Sequence, residues 1–326
     1  MRLLAFPVLV LLGQVSMAGP QGAAADQAGT IRPPDQPSAL ALLDPAVRFE
    51  LEEALERKDY EKAELLLARE IETNPKAPRY ELLVYLGGLF FVDGKYLNSA
   101  IAYKKADSLE ALDPGNRFTL AMAYILLGRR DWARPELETL SHQDPGNPLY
   151  LYWLARSDYD DNNYQPAIQK LELLLQQHPD YLRAWDRLGL CHEALGHNDE
   201  AIEYYRKALE VGARQNSRWP WPALNLGSLL IQLGRLEEAE QYLRQAVDMD
   251  PAFPQGRYKL GLVLEKLERW EESAAELREA ARLDPAFPDP HWALGRVLRR
   301  TGDREGAAAA VARYKELKDA QTKPQQ

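Results

Sequence analysis

Apolar and small residues recur along most of this chain with a period of 34. Pro145, Pro179, Pro251 and Pro285 each follow a polar residue and close a helical stretch. The first two lie 34 residues apart, and so do the last two. The 72 residues between Pro179 and Pro251 amount to two periods plus a four-residue insertion. Within one period, Trp185, Leu188, Gly189, Gly196, Ala201, Tyr205 and Ala208 hold positions 4, 7, 8, 15, 20, 24 and 27. The next unit places Ala223, Leu226, Gly227, Gly234, Ala239, Leu243 and Ala246 in the same register. Leu260, Gly261, Ser273, Leu277 and Ala280 follow, and then His291, Leu294, Gly295, Gly302, Ala307 and Val311. Upstream, Leu151, Leu154, Ala155, Ala167, Leu171 and Leu174 fit without a gap. Steps of three and four residues are those of a helix face, so each period predicts helix, turn, helix, and the class is all-α.

The register resembles the tetratricopeptide repeat family at most signature positions, from residue 44 to residue 319. That resemblance implies a right-handed superhelical solenoid of about eight helix-turn-helix repeats. The units fall at about 44–77, 80–116, 114–147, 148–181, 182–215, 220–253, 254–287 and 288–319. The first three match least well: the second carries extra residues before Pro114, and the first lacks the small residue at position 8. Small residues at positions 8 and 20 let the two helices of a unit cross closely, and large apolar residues fill the space around the crossing. Glycine near position 15 supports the turn, where a left-handed conformation is often needed. Pro148, Pro220, Pro254 and Pro288 are expected to start first helices, where a missing N–H costs nothing. Pro166 falls near a second helix's start, whereas Pro135 lies deeper and is expected to bend its helix.

Composition narrows the function. A hydrophobic content of 46% supports a substantial core, and 27% charged residues suit a soluble helical protein. A net charge of −9 argues against nucleic-acid binding and against adsorption to anionic membranes. The N-terminus reads as an export signal over 1–18: Arg2, an apolar run from Leu3 to Leu12, then Ser16-Met17-Ala18 before a cut. Residues 19–43, rich in Ala, Gly, Pro and Gln, read as a flexible linker, and 320–326 as a polar tail. The expected location is therefore secreted or periplasmic, with no transmembrane span in the mature chain.

In the family, first helices line a concave groove that holds a peptide or a partner's helix. By that resemblance, positions 2, 5, 9 and 12 and their neighbours place Phe118, Met122, Tyr152, Trp153, Arg156, Tyr159, Arg183, Asp186, Asn225, Tyr258, Trp292, Arg296 and Arg299 at the groove. Aromatic residues with arginine nearby are the types that dominate interface energies. Trp185, at a consensus packing position, is expected to be structural. Some relatives clamp a partner's terminal carboxylates with Lys and Asn beside the position-8 glycine. Here the next residue is Gly88, Leu190, Ser228, Leu262 or Arg296, so that clamp is not evident. Trp219 and Trp221, in the insertion, serve either as contact points or as filler.

Catalytic patterns are lacking. Cys191 and His192 are adjacent on one helix, where side chains diverge by about 100°. The five histidines form no ligand motif, and no phosphate-binding glycine loop or nucleophile elbow is present. The expectation is a non-catalytic scaffold without metal or cofactor, binding a protein or peptide. Glycan binding is the alternative, with Tyr152, Trp153 and Trp292 stacking on sugar rings.

Overall fold

The computed structural model describes residue 40 and residues 43–322. The expected signal, most of the linker and residues 323–326 lie outside the described residues. Sixteen helices and no strands occur among the described residues. They form eight consecutive pairs, each pair joined by a short turn.

The first compact unit runs to Tyr150. It contains α1 (Pro45–Glu56), α2 (Tyr60–Thr73), α3 (Arg79–Val92), α4 (Tyr96–Asp107), α5 (Pro114–Leu126) and α6 (Arg130–Gln143). Each helix packs on the next. Asp44, Asp59 and Asp113 cap α1, α2 and α5, accepting from the N–H groups of Ala46, Lys62 and Asn116. Pro45 and Pro114 occupy the first helical position.

The second unit begins at Leu151, within α7 (Pro148–Asp160). It continues through α8 (Tyr164–Gln177), α9 (Leu182–Ala194), α10 (Asn198–Arg214), α11 (Trp221–Gln232), α12 (Leu236–Met249), α13 (Pro254–Lys266), α14 (Trp270–Leu283), α15 (Pro288–Thr301) and α16 (Arg304–Thr322). Here first helices also touch along a row: α9 meets α11, α11 meets α13, and α13 meets α15. Pro148, Pro254 and Pro288 start their helices as expected, whereas Pro220 sits one residue before α11. Pro166 lies in the first turn of α8, and Pro135 is contained within α6. The insertion is mostly absorbed by α10, 17 residues long where α8, α12 and α14 have 14. Arg218 ties the remaining connection down by donating to the carbonyls of Met249 and Asp248 at the end of α12.

The small positions are spaces for a neighbour's side chain. A Cβ added at Gly189 would stand 2.5 Å from the Tyr205 ring, and one at Gly227 or Gly261 would stand 2.6 or 2.7 Å from Leu243 or Leu277. Position 8 is thus filled by position 24 of the same pair. Where serine replaces alanine at position 20, its hydroxyl is satisfied: Ser99 donates to the Gly87 carbonyl at 2.8 Å and Ser273 to that of Gly261 at 2.7 Å.

Each of the eight turns holds one residue at positive φ: Lys58, Gly94, Gly128, Asn162, Gly196, Gly234, Glu268 and Gly302. In the first seven turns the closing hydrogen bond is the same with and without glycine. Lys95 N–H reaches the Phe90 carbonyl at 2.8 Å, and Arg269 N–H reaches that of Leu264 at 2.9 Å. Packing imposes this conformation on Lys58 and Glu268, whose Cβ atoms disfavour it by about 1 kcal/mol. Glu268→Gly and Lys58→Gly are therefore expected to stabilise the protein by up to about 1 kcal/mol, read as a raised urea midpoint with an unchanged slope.

Candidate binding face

Helix α5 presents Phe118 and Met122 on one face, four residues apart, and both are buried. Phe118 lies against Tyr150, with ring centroids 5.8 Å apart. On α7, Tyr152 and Arg156 are buried and Trp153 is 1% exposed. Tyr152 packs against Trp153 and Tyr181, and the Arg156 guanidinium lies 4.8 Å from the Trp153 ring centre. These five residues offer no surface to a ligand here. Large rings and long aliphatic stems are covered wherever neighbouring helices reach them, because removing apolar area from water is favourable.

The middle of the row is polar and internally paired. Tyr159 is half-buried, with the Arg187 guanidinium 5.1 Å from its ring centre. Arg183 lies over Trp219 at 5.0 Å. Asp186 is buried and accepts from Asn225 Nδ2 at 2.9 Å, linking α9 to α11. Burial pushes its carboxyl up to about 6, against the opposing pull of Arg187, Asn225 and Arg183. Glu193 accepts from the Tyr205 hydroxyl at 2.7 Å and from Gln232 of α11 at 3.4 Å.

The C-terminal end is open. Trp292, Arg296 and Arg299 follow at i, i+4 and i+7, one face of α15, and all three are exposed. Trp292 is 41% exposed while its ring leans on Tyr314 of α16, centroids 5.3 Å apart. Arg296 is oriented by a two-point contact with Glu265 of α13, at 3.1 and 2.5 Å. Arg299 Nε donates to the Gly295 carbonyl of its own helix. On α13, Tyr258 is half-buried edge-on against Phe287. Of the thirteen expected groove residues, Trp292, Arg296 and Arg299 are the exposed ones.

The tryptophans outside the groove separate cleanly. Trp185 is half-buried, stacked on Tyr204, with its indole N–H on the Pro179 carbonyl at 2.8 Å. Trp221 packs on the core and meets Phe253 edge-on, which makes it filler, while Trp219 shields Arg183. Sequence reasoning missed Arg187 and Arg218. The family register marks 187 as an ordinary helix position, and only the fold brings Tyr152 and Tyr159 around it. Cys191 is fully buried and its thiol is pushed up to about 12 by that burial. No cluster of three or more metal-binding side chains occurs among the described residues.

A family model described as Tetratricopeptide repeat matches residues 118–181, 154–217, 224–288 and 258–322, more than half of the chain. The chain belongs to the tetratricopeptide repeat family. Among curated proteins it is 27% identical over 180 residues to Protein O-mannosyl-transferase TMTC1 of Homo sapiens, covering 54% of this chain and 20% of that protein. It is 25% identical over 171 residues to TPR repeat-containing protein YpiA of Bacillus subtilis (strain 168), covering 52% of this chain and 39% of that one. The matched stretches thus span well under half the length of either relative. A crystal structure of a tetratricopeptide repeat protein from Parabacteroides merdae ATCC 43184 shares the fold, with a TM-score of 0.63 at 18% identity, covering 78% of this chain and 98% of that one. The fold class is accordingly the all-α tetratricopeptide repeat solenoid, a scaffold for protein–protein interaction.

Proposed function

We infer that this tetratricopeptide repeat protein is an exported, non-catalytic scaffold that holds a segment of a partner protein on the α13–α15 face. One observation carries the reading: Trp292, Arg296 and Arg299 stand exposed on one side of α15, and Arg296 is oriented by Glu265. An aromatic plane beside two guanidinium groups suits a peptide that combines an apolar side chain with a carboxylate. The family supports it, since tetratricopeptide repeat proteins bind protein or peptide partners. The glycan alternative loses two of its three sugar-stacking rings to the core, because Tyr152 and Trp153 are buried. Export is supported by Arg2, the apolar run to Leu12 and the Ser16-Met17-Ala18 site.

The test is quantitative affinity purification with the wild-type chain and with Trp292→Ala/Arg296→Ala/Arg299→Ala. A stoichiometric partner is expected on the wild type and reduced about tenfold on the variant, whose melting temperature stays close to wild type because the changed side chains are exposed. Equal recovery on both chains would remove this face from the function. N-terminal sequencing of the protein purified from its host is expected to begin at Gly19, and a chain beginning at Met1 would overturn cleavage.

A further inference from the structure

Leu97 and Ile101 lie four residues apart on one side of α4, 52% and 48% exposed. An amphipathic surface helix ordinarily turns polar residues to that side. Trp132 of α6, 41% exposed, completes an open groove of about 340 Å³ with Ala100 and Tyr124. Lys104, Lys105 and Ser108 form its polar end. The tryptophan is held in place. Tyr124 meets it edge-on at 5.5 Å, and the Arg129 guanidinium lies 3.5 Å from its ring centre. Arg129 is fixed in turn by two contacts with Asp131. A pre-positioned tryptophan beside exposed branched side chains has the composition of an interface anchor.

Charge selects the occupant. Lys104 is paired with Asp107 at 3.1 Å and Glu136 at 3.4 Å, whereas Lys105 is exposed and has no ion pair among the described residues. An apolar floor therefore ends in one uncompensated cation. We propose that this groove docks an amphipathic α-helix of a partner protein, with its apolar side chains on Leu97, Ile101 and Trp132 and a carboxylate at Lys105. The groove is built by side chains of α4 and α6 with Tyr124 of α5 between them, so the ridge of a further helix fits it as helices ordinarily pack. A lipid surface fits less well, because Asp107, Asp131 and Glu136 offset the surrounding cations and the whole chain carries −9. This site is separate from the α15 face, and the two succeed or fail independently.

Two fluorescein-labelled helical peptides test it by anisotropy against the full chain: one with leucines along one side flanked by Glu, the other identical but flanked by Lys. The Glu peptide is expected to bind about tenfold more tightly, and Lys105→Glu to reverse that order. Ile101→Asp should weaken the Glu peptide at least about tenfold with unchanged circular dichroism, because the side chain is exposed. The same comparisons are made in the Trp292→Ala/Arg296→Ala/Arg299→Ala background, so that the α15 face does not compete for an acidic peptide and the preference for the Glu peptide is expected to persist. Equal affinity for both peptides, or indifference to Ile101→Asp, would overturn the proposal. Self-association abolished by Ile101→Asp in sedimentation velocity would assign the groove to a second copy instead. Binding to phosphatidylcholine–phosphatidylglycerol vesicles lost in the same variant would assign it to a membrane.

Discussion

Replacing Arg117 by methionine is expected to destabilise the first unit by about 3 kcal/mol, the range for breaking a buried ion pair from one side. Arg117 lies on α5, with Nη2 at 2.8 Å from Asp107 and Nη1 at 2.6 Å from Glu136, so one guanidinium ties α4 to α6. All three side chains are at least four-fifths covered. Methionine keeps most of the stem's packing and removes the charge, which leaves two carboxylates facing each other with only the half-exposed Lys104 between them. Urea denaturation should show the loss, and adding Asp107→Asn and Glu136→Gln should recover much of it. Failure to recover would mean that lost packing dominates. The pH dependence has a definite sign. Burial alone would raise the Asp107 carboxyl, but the Leu112 N–H, Lys104 and Arg117 together hold it below the usual 3.8. Its contribution is then present above 3.8 and lost as pH falls through the lower folded value, so the gap between wild type and variant should narrow in acid.

Asp186→Asn is expected to have the opposite pH behaviour. Burial pushes the folded carboxyl up to about 6 from the ordinary 3.8, so the folded state binds the proton more tightly than the unfolded chain. Stability from this group is complete below 3.8 and declines as pH rises through about 6, with a limiting difference of about 3 kcal/mol. Asparagine carries no charge and can still accept from Asn225. Wild type and variant should therefore be close near pH 4, and the variant should become the more stable protein by pH 8. A constant difference across that range would show that Arg187 and Asn225 already hold Asp186 ionised.

The contrast between these two carboxylates is a measure of what the sequence alone withholds. Asp107 and Asp186 are both helical aspartates in a chain with 49 acidic residues, and nothing local separates them. Asp107 sits near three donors from α4, α5 and the following loop, while Asp186 is enclosed with one amide at 2.9 Å. Likewise, the register placed thirteen residues on one family face, but burial divides them. Phe118, Met122, Tyr152, Trp153 and Arg156 went into the interior, while Trp292, Arg296 and Arg299 stayed in water. The groove at Trp132 gave no sequence signal because Leu97, Ile101 and Trp132 come from two repeats and follow no consensus position.

What the sequence determined by itself is the repeating architecture: the helix pairs, the close crossings at positions 8 and 20, and the left-handed turns at Gly196, Gly234 and Gly302. Those features depend on backbone freedom and side-chain size within one unit, and a 34-residue pattern carries both. The tertiary structure decided which side chains meet solvent, which charges face each other, and that Lys58 and Glu268 adopt the turn conformation without glycine. Coverage and electrostatic surroundings come from neighbouring helices, and a periodic pattern records only the residue, not the neighbours it will have.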